Sequence, residues 1–226
     1  MAYVSAIIVA AGSGVRLGAK IPKAFVRING KPMLEYSLQA CQDCQKVNEI
    51  ILVKPPSYQF NGLKYFDRFP KLAVIVSGGK ERLDSVRAGL NSVSSKADMV
   101  LIHDAARPLI RPEQITSVIA AVKKHGAAIL ATPVTDTIKS ADKAWIKGTV
   151  DRSGLWKAQT PQGFKKEILE QSHFNQKAGS VTDDSRLVEM IKGKVFIVPG
   201  DDSNIKITTH IDLEIASCLL RKKRPA

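Results

Sequence analysis

The feature that most constrains this chain is the run Ala6-Ile7-Ile8-Val9-Ala10-Ala11, together with the glycine-rich loop after it. The run shows no polar alternation and is rich in β-branched residues, so it reads as a strand buried on both faces. Such a strand needs cover above and below, which points to an α/β sheet. It stops at a loop holding Gly12, Gly14 and Gly18, with the cations Arg16 and Lys23 seven residues apart. Glycines let backbone N–H groups turn toward an anion. Strand, glycine loop and two cations together read as a seat for a polyphosphate.

Two commoner phosphate motifs do not fit. A Walker loop needs a glycine, four residues and then Gly-Lys-Ser/Thr, a spacing absent here. A dinucleotide fingerprint needs Gly-x-Gly-x-x-Gly, but Leu17 holds the third glycine's place and Gly18 comes one residue late.

The apolar runs Ile50-Ile51-Leu52-Val53, Leu72-Ala73-Val74-Ile75-Val76, Met99-Val100-Leu101-Ile102-His103 and Ala127 to Thr132 read as further strands. Helices are expected from Pro32, over 82–92, and from Pro112 to about His125. This alternation predicts a three-layer, Rossmann-like α/β fold, with a mostly parallel sheet and helices on both faces. Ligands of such sheets bind beyond the carboxyl ends of the strands. The segments beginning at Gly12, Gly78 and Asp104 all lie just past apolar runs.

The alternation breaks between Pro133 and Thr160. Residues 135–147 are polar, with short extended pieces, and read as a protruding β-arm at about 134–158. A two-stranded projection is barely stable alone, so a partner is expected to cover it. Further helices are expected around 165–176, 183–191 and 211–220, with a late strand over 195–198. No linker divides residues 1–226, which read as a single domain.

The chain carries 34 Lys and Arg against 21 Asp and Glu, a formal net charge of +13. Such an excess suits anionic partners. Four of the cations stand together at 221–224. Neither the aromatic–basic interleaving of an RNA-binding sheet nor a helix-turn-helix pattern occurs, so nucleic acid is not an expected partner. No apolar run reaches the roughly 18 residues of a membrane helix, so no membrane partner is expected. Residues 1–5 lack a charged n-region and a cleavage site, from which a cytoplasmic location is expected. Three cysteines do not make a disulfide framework. Cys41 and Cys44 are spaced C-x-x-C at the end of a helical run, and they read as structural thiols.

Several segments resemble one known family. Ala10-Ala11-Gly12-Ser13-Gly14-x-Arg16 with Pro22-Lys23 resembles the opening signature of nucleotidyltransferases that build CDP- or sugar-nucleotides. Gly78-Gly79-Lys80-Glu81-Arg82-Leu83-Asp84-Ser85-Val86 and His103-Asp104-Ala105-Ala106-Arg107-Pro108 look like the second and third nucleotide segments of one branch. Val150-Asp151-Arg152-x-Gly154-Leu155-Trp156-x-Ala158-Gln159-Thr160-Pro161-Gln162 and Asn204-Ile205-Lys206 complete the set. Together, from about Ala6 to Asp212, they resemble the 2-C-methyl-D-erythritol 4-phosphate cytidylyltransferase family of the non-mevalonate isoprenoid pathway. The chain departs from the family's usual pattern at Ala24, commonly Gln, and at Val9 and His210, commonly Pro. None of these replaces a charged group assigned to the chemistry.

The resemblance implies transfer of CMP from CTP to the acceptor's phosphate with release of pyrophosphate, Mg²⁺ as cofactor, and a homodimer on which the arm packs. The attacking phosphomonoester is already anionic near neutral pH, its second pKa being about 6. No general base is needed, and the work left is alignment and charge stabilisation. The resemblance assigns Arg16 and Lys23 to the charge on the five-coordinate phosphorus, and Arg152 and Lys206 to the acceptor phosphate. Ala10, Ala11, Gly12, Gly14, Gly79 and Ser85 are expected on the nucleotide. Asp104, also expected at the nucleotide, is the candidate metal residue, through water, or a ribose contact. Arg107, Thr137 and Thr182 match positions that contact or surround the acceptor, some across the dimer interface.

Plainer readings stand beside these. Asp104 and Arg107 would make a structural ion pair, Ser85 a helix cap and His103 a structural residue. Asp183-Asp184 would simply start a helix, an end that favours acids. Ribitol-5-phosphate cytidylyltransferase is the alternative activity, since it shares most of the nucleotide motifs. The displaced third glycine and Pro22-Lys23 argue against a nicotinamide-dependent oxidoreductase.

Overall fold

The computed structural model describes residues 2–12, 21–59, 66–174, 181 and 183–222. The opening apolar run is strand β1, Val4–Val9. A 3-10 turn at Lys23–Phe25 leads into a small hairpin of β2 (Arg27–Ile28) and β3 (Lys31–Pro32). Its turn residues Asn29 and Gly30 both take positive φ, 49° and 83°, the conformation for which tight hairpins select Asn-Gly. Helix α1 (Met33–Asp43) comes next, with Pro32 at its N-cap. The alternation continues as β4 (Glu49–Lys54), β5 (Leu72–Ser77), α2 (Arg82–Leu90), β6 (Met99–Asp104), α3 (Pro112–His125) and β7 (Ala127–Pro133).

Strands β8 (Ile138–Asp142) and β9 (Trp145–Val150) then pair antiparallel in a sheet of their own, with most side chains exposed. The chain returns as β10 (Trp156–Lys165), α4 (Lys166–Phe174), α5 (Asp184–Met190), β11 (Phe196–Pro199) and α6 (His210–Lys222).

Among the described residues, the main sheet has seven strands in the order β11-β7-β10-β6-β1-β4-β5. β10 runs against β6 and β7, while the other neighbours pair in parallel. The sequence does not lead one to expect this central strand. Trp156 already pairs with Pro133 in the main sheet, so the end of the 134–158 segment belongs to the body.

Successive residues of each buried strand enter opposite layers. Ile8, Leu52 and Leu101 pack with Leu38 of α1 and Val118 of α3. Ile7, Ile51 and Ile102 pack with Val86 of α2, Leu169 of α4 and Val188 of α5. Each such side chain contributes about 1.5–3 kcal/mol when fully buried. Covered on both faces, the sheet is held in register, and Val9 ends level with Val53 and Asp104. That level edge is where the site forms. Among the described residues, no helix is long and apolar enough to cross a membrane.

Candidate active site

Beyond the carboxyl ends of β1 and β6 the chain opens a cleft of about 310 Å³. Its walls are Val9 to Gly12, Lys23 and Ala24, the Gly79–Arg82 turn with Ser85, Asp104 to Ala106, and Lys206. Of the residues expected at the site, Ala10, Ala11, Gly12, Lys23, Gly79, Ser85, Asp104 and Lys206 therefore share one cavity. Arg16, Gly14 and Thr182 lie outside the described residues.

The turn before α2 is built by its own polar groups. Gly78 N–H donates to Lys54 O at 2.8 Å. Gly79 N–H donates to Ser85 Oγ at 3.2 Å, and the Ser85 hydroxyl donates to Glu81 O at 3.1 Å. The Glu81 and Asp84 side chains cap each other's backbone N–H groups. Ser85 thus braces the turn, with one lone pair left by its donor–acceptor inventory.

Charge gathers around Asp104. Asp104 Oδ2 stands 2.6 Å from Lys206 Nζ, and Oδ1 stands 3.5 Å from Arg82 Nε. Burial pushes the Asp104 carboxyl up, but the Arg82 and Lys206 charges outweigh it and hold the group well below the usual carboxylate range. Arg82 also reaches the buried Asp184, Nη2 to Oδ2 at 2.8 Å. Burial opposes the guanidinium's charge, yet Asp184 and Asp104 raise its pKa above the ordinary value.

The segment bearing Lys206 is tied to the site from below. Ile207 N–H donates to Ala106 O at 2.8 Å, and Lys23 Nζ donates to Ile207 O at 2.9 Å. Arg107 is buried, donating to Asn204 O at 2.7 Å and Ala158 O at 3.1 Å. It does not line the cleft; it bolts the Lys206 loop to β10. Asn204 adds bonds from Nδ2 to Gln159 Oε1 and Thr160 O. The plainer reading of Arg107 as an ion-pair partner of Asp104 gives way to Arg82, which takes that place. Arg152 and Thr137 are exposed beside the β8–β9 hairpin and do not line this cleft. Arg152 Nη1 donates to Thr135 O instead.

Sequence reasoning gave Arg82 and Asp184 no role in the site. Arg82 sits inside the Gly78–Val86 segment, but its partner comes from a distant helix start.

The chain matches the family model described as IspD: 2-C-methyl-D-erythritol 4-phosphate cytidylyltransferase over residues 4–222. The chain belongs to this family. It is accordingly an enzyme, a CTP-dependent nucleotidyltransferase of isoprenoid biosynthesis. The 2-C-methyl-D-erythritol 4-phosphate cytidylyltransferase of Caldanaerobacter subterraneus is 43% identical to it, over 97% of this chain and 99% of that one. A bifunctional enzyme IspD/IspF of Rhodospirillum rubrum is 44% identical over 98% of this chain, which spans 58% of that longer protein. The crystal structure of the 4-diphosphocytidyl-2C-methyl-D-erythritol synthase from Anaerococcus prevotii superposes with a TM-score of 0.84 at 32% identity, covering 97% of this chain and 99% of that one. The IspD fold is thus the fold of this chain, with its cleft at the same edge of the sheet that α/β topology selects.

Proposed function

We propose that this IspD-family chain transfers CMP from CTP to 2-C-methyl-D-erythritol 4-phosphate, giving 4-diphosphocytidyl-2-C-methyl-D-erythritol and pyrophosphate. The observation that carries the reading is that Lys23 and Lys206 line one cleft with the Gly79–Ser85 turn. The acceptor's phosphate oxygen attacks the α-phosphorus. A new phosphorus–oxygen bond forms, the bond to the bridging oxygen breaks, and pyrophosphate leaves with that electron pair.

Bringing two anionic reactants together is the main obstacle. Two unit charges at 4 Å repel by about 4 kcal/mol at an effective dielectric of 20. Lys206 offsets this on the acceptor side. Lys23, with Arg16, stabilises the five-coordinate phosphorus. Ala10, Ala11, Gly12, Gly14, Gly79 and Ser85 surround the nucleotide, and the remaining Ser85 lone pair suits an amino hydrogen of cytosine.

Magnesium is the proposed cofactor. Among the described residues, the carboxylates lining the cleft are Asp104 and Glu81. Asp104 is paired with two cations, and Glu81 caps α2. These donors fit an ion carried mainly by triphosphate oxygens and water, with Asp104 acting through water, because Mg²⁺ keeps much of its hydration. When bound, the ion supplies charge neutralisation to the triphosphate.

The β8–β9 hairpin is read as an arm that packs on a second copy. Its Trp145 and Ile146 are 81% and 65% exposed, and an uncovered two-stranded ribbon is marginal. In such a homodimer Arg152 and Thr137 would serve the partner's acceptor site, with Thr182 and Arg107 supporting it from the chain's own side. A CTP-dependent reaction of this kind is read as cytoplasmic.

The test is pyrophosphate release with CTP and Mg²⁺ across a panel of polyol phosphates. Strong release with 2-C-methyl-D-erythritol 4-phosphate and little with ribitol 5-phosphate is expected. The reverse preference would overturn the acceptor assignment.

A further inference from the structure

Behind Arg82 of the cleft wall lies a charge that the reaction itself does not call for. Asp184, the first residue of α5, is 1% exposed. Its backbone N–H donates to Gln162 Oε1 at 3.0 Å, which pins it beneath β10. Its Oδ1 faces His173 Nε2 at 3.6 Å, beyond hydrogen-bond reach. Its Oδ2 faces Arg82 Nη2 at 2.8 Å. From there the charges alternate outward: Arg82 Nε lies 3.5 Å from Asp104 Oδ1, and Asp104 Oδ2 lies 2.6 Å from Lys206 Nζ.

We infer that Asp184 is a positioning residue for the acceptor phosphate: acting through Arg82 it fixes the Asp104 carboxylate, and that carboxylate sets where the Lys206 ammonium stands. The inference rests on the reading of Lys206 as an acceptor-phosphate cation. Lys206 is 41% exposed, and an exposed lysine has a long stem with much rotamer freedom. Ordering it before the acceptor arrives lowers the entropy lost on binding. Asp104 can order it only if Asp104 is itself held. Arg82 holds it, and the buried Asp184 gives Arg82 an immobile second attachment. The guanidinium suits this place because its planar fork faces two carboxylates at once, whereas a lysine ammonium is a single point.

The test compares full-length Asp184→Asn, Arg82→Lys, Asp104→Asn and the double variant Asp184→Asn/Asp104→Asn, varying CTP and acceptor separately. Coupling within one ion-pair network predicts an acceptor KM raised about tenfold in Asp184→Asn and Arg82→Lys, a larger rise than in the CTP KM, since Asp104 and Arg82 also border the nucleotide side. In the Asp104→Asn background, Asp184→Asn should add less than about twofold, since no carboxylate remains to be fixed. If Asp184→Asn does not fold, Arg82→Lys reads the same link at a side chain that is 24% exposed. An unchanged acceptor KM in the folded variants, a loss confined to kcat, or fully additive effects would each overturn the inference. A wild-type chain that does not turn over methylerythritol phosphate would instead overturn the functional reading, so the two failures are distinct.

Discussion

Lys206 Nζ and Asp104 Oδ2 stand 2.6 Å apart on the wall of the cleft, joining the end of β6 to the loop before α6. A charge-assisted pair of this length is strong. It presents an ammonium with donors still available to an incoming phosphate.

Lys206→Ala should therefore damage the acceptor side selectively. The expected loss in kcat/KM for the acceptor is at least about 100-fold, the scale of removing one group that stabilises developing charge. The CTP KM should barely move. Steady-state kinetics with each substrate varied in turn will check this. Parallel losses for both substrates would argue against an acceptor-specific role.

Lys23 occupies a different position in the same cleft. Its Nζ donates to Ile207 O at 2.9 Å, and a hydrogen bond made by a charged group is worth about 1.5–3 kcal/mol. Lys23→Ala should thus cost stability on that scale and, separately, at least about 100-fold in kcat, if it meets the five-coordinate phosphorus. Single-turnover kinetics beside a thermal melt separate the two effects. A large fall in melting temperature with near-normal turnover would make Lys23 a strut only.

Much of this arrangement was legible in the sequence, for an identifiable reason. Strands buried on both faces have one physical solution, uninterrupted apolar runs, so β1, β4, β5, β6 and β7 stand out. β10 does not, because its polar residues are buried for other purposes. Gln159 donates to Asp201 O, Thr160 Oγ1 accepts from Asp104 N–H, and Gln162 donates to Asp183. A strand that props up the site from beneath reads as a loop, and Pro161 argues against a strand interior. The Asp183-Asp184 pair shows the same limit. Asp183 does cap α5, accepting from Arg186 N–H at 3.2 Å. Asp184 is buried against Arg82, a partner that no local spacing announces.

The turn before α2 gives a steric prediction. A methyl at Gly78 would stand 2.6 Å from both Ala11 Cβ and Ser85 Oγ, closer than van der Waals contact allows. Both neighbours line the cleft. Gly78→Ala should raise the KM for CTP about tenfold or more, in line with the roughly 1–3 kcal/mol that overpacking costs. The acceptor KM should change less. Equal shifts for both substrates would mean that the turn serves the whole cleft and not the nucleotide side.

The arm reading makes a prediction about mixed assemblies. Arg152→Ala and Lys206→Ala should each be nearly inactive alone. If the Arg152 side chain acts in the partner's cleft, a mixed dimer holds one intact site. Random pairing in a twofold assembly then restores roughly a quarter of wild-type activity. Co-refolding the two variants and measuring pyrophosphate release checks this. No recovery, despite demonstrated mixed dimers, would place Arg152 outside the partner's site.

His103, beside the reactive edge, predicts how stability responds to acid. It is 1% exposed, and burial pushes its imidazole down to about 4, further than the adjacent Asp104 draws it up. Nε2 lies 3.3 Å from Arg107 O, and Nδ1 lies 3.0 Å from Thr160 Oγ1. A proton on Nε2 can satisfy the carbonyl, leaving Nδ1 to accept from the hydroxyl, so the neutral ring fills both contacts. An unfolded histidine titrates near 6.5. Between those two values the unfolded chain binds a proton that the native chain does not. Stability is therefore lost as pH falls from about 6.5 toward 4, by up to about 3 kcal/mol at roughly 1.4 kcal/mol per unit. Above that window the group contributes no slope. His103→Gln removes the titration and should flatten melting temperature against pH between about 7 and 4.5, while the paired Asp104 keeps its charge in both proteins. Identical slopes in the two proteins would mean that His103 takes up its proton in the native state as readily as in the unfolded one.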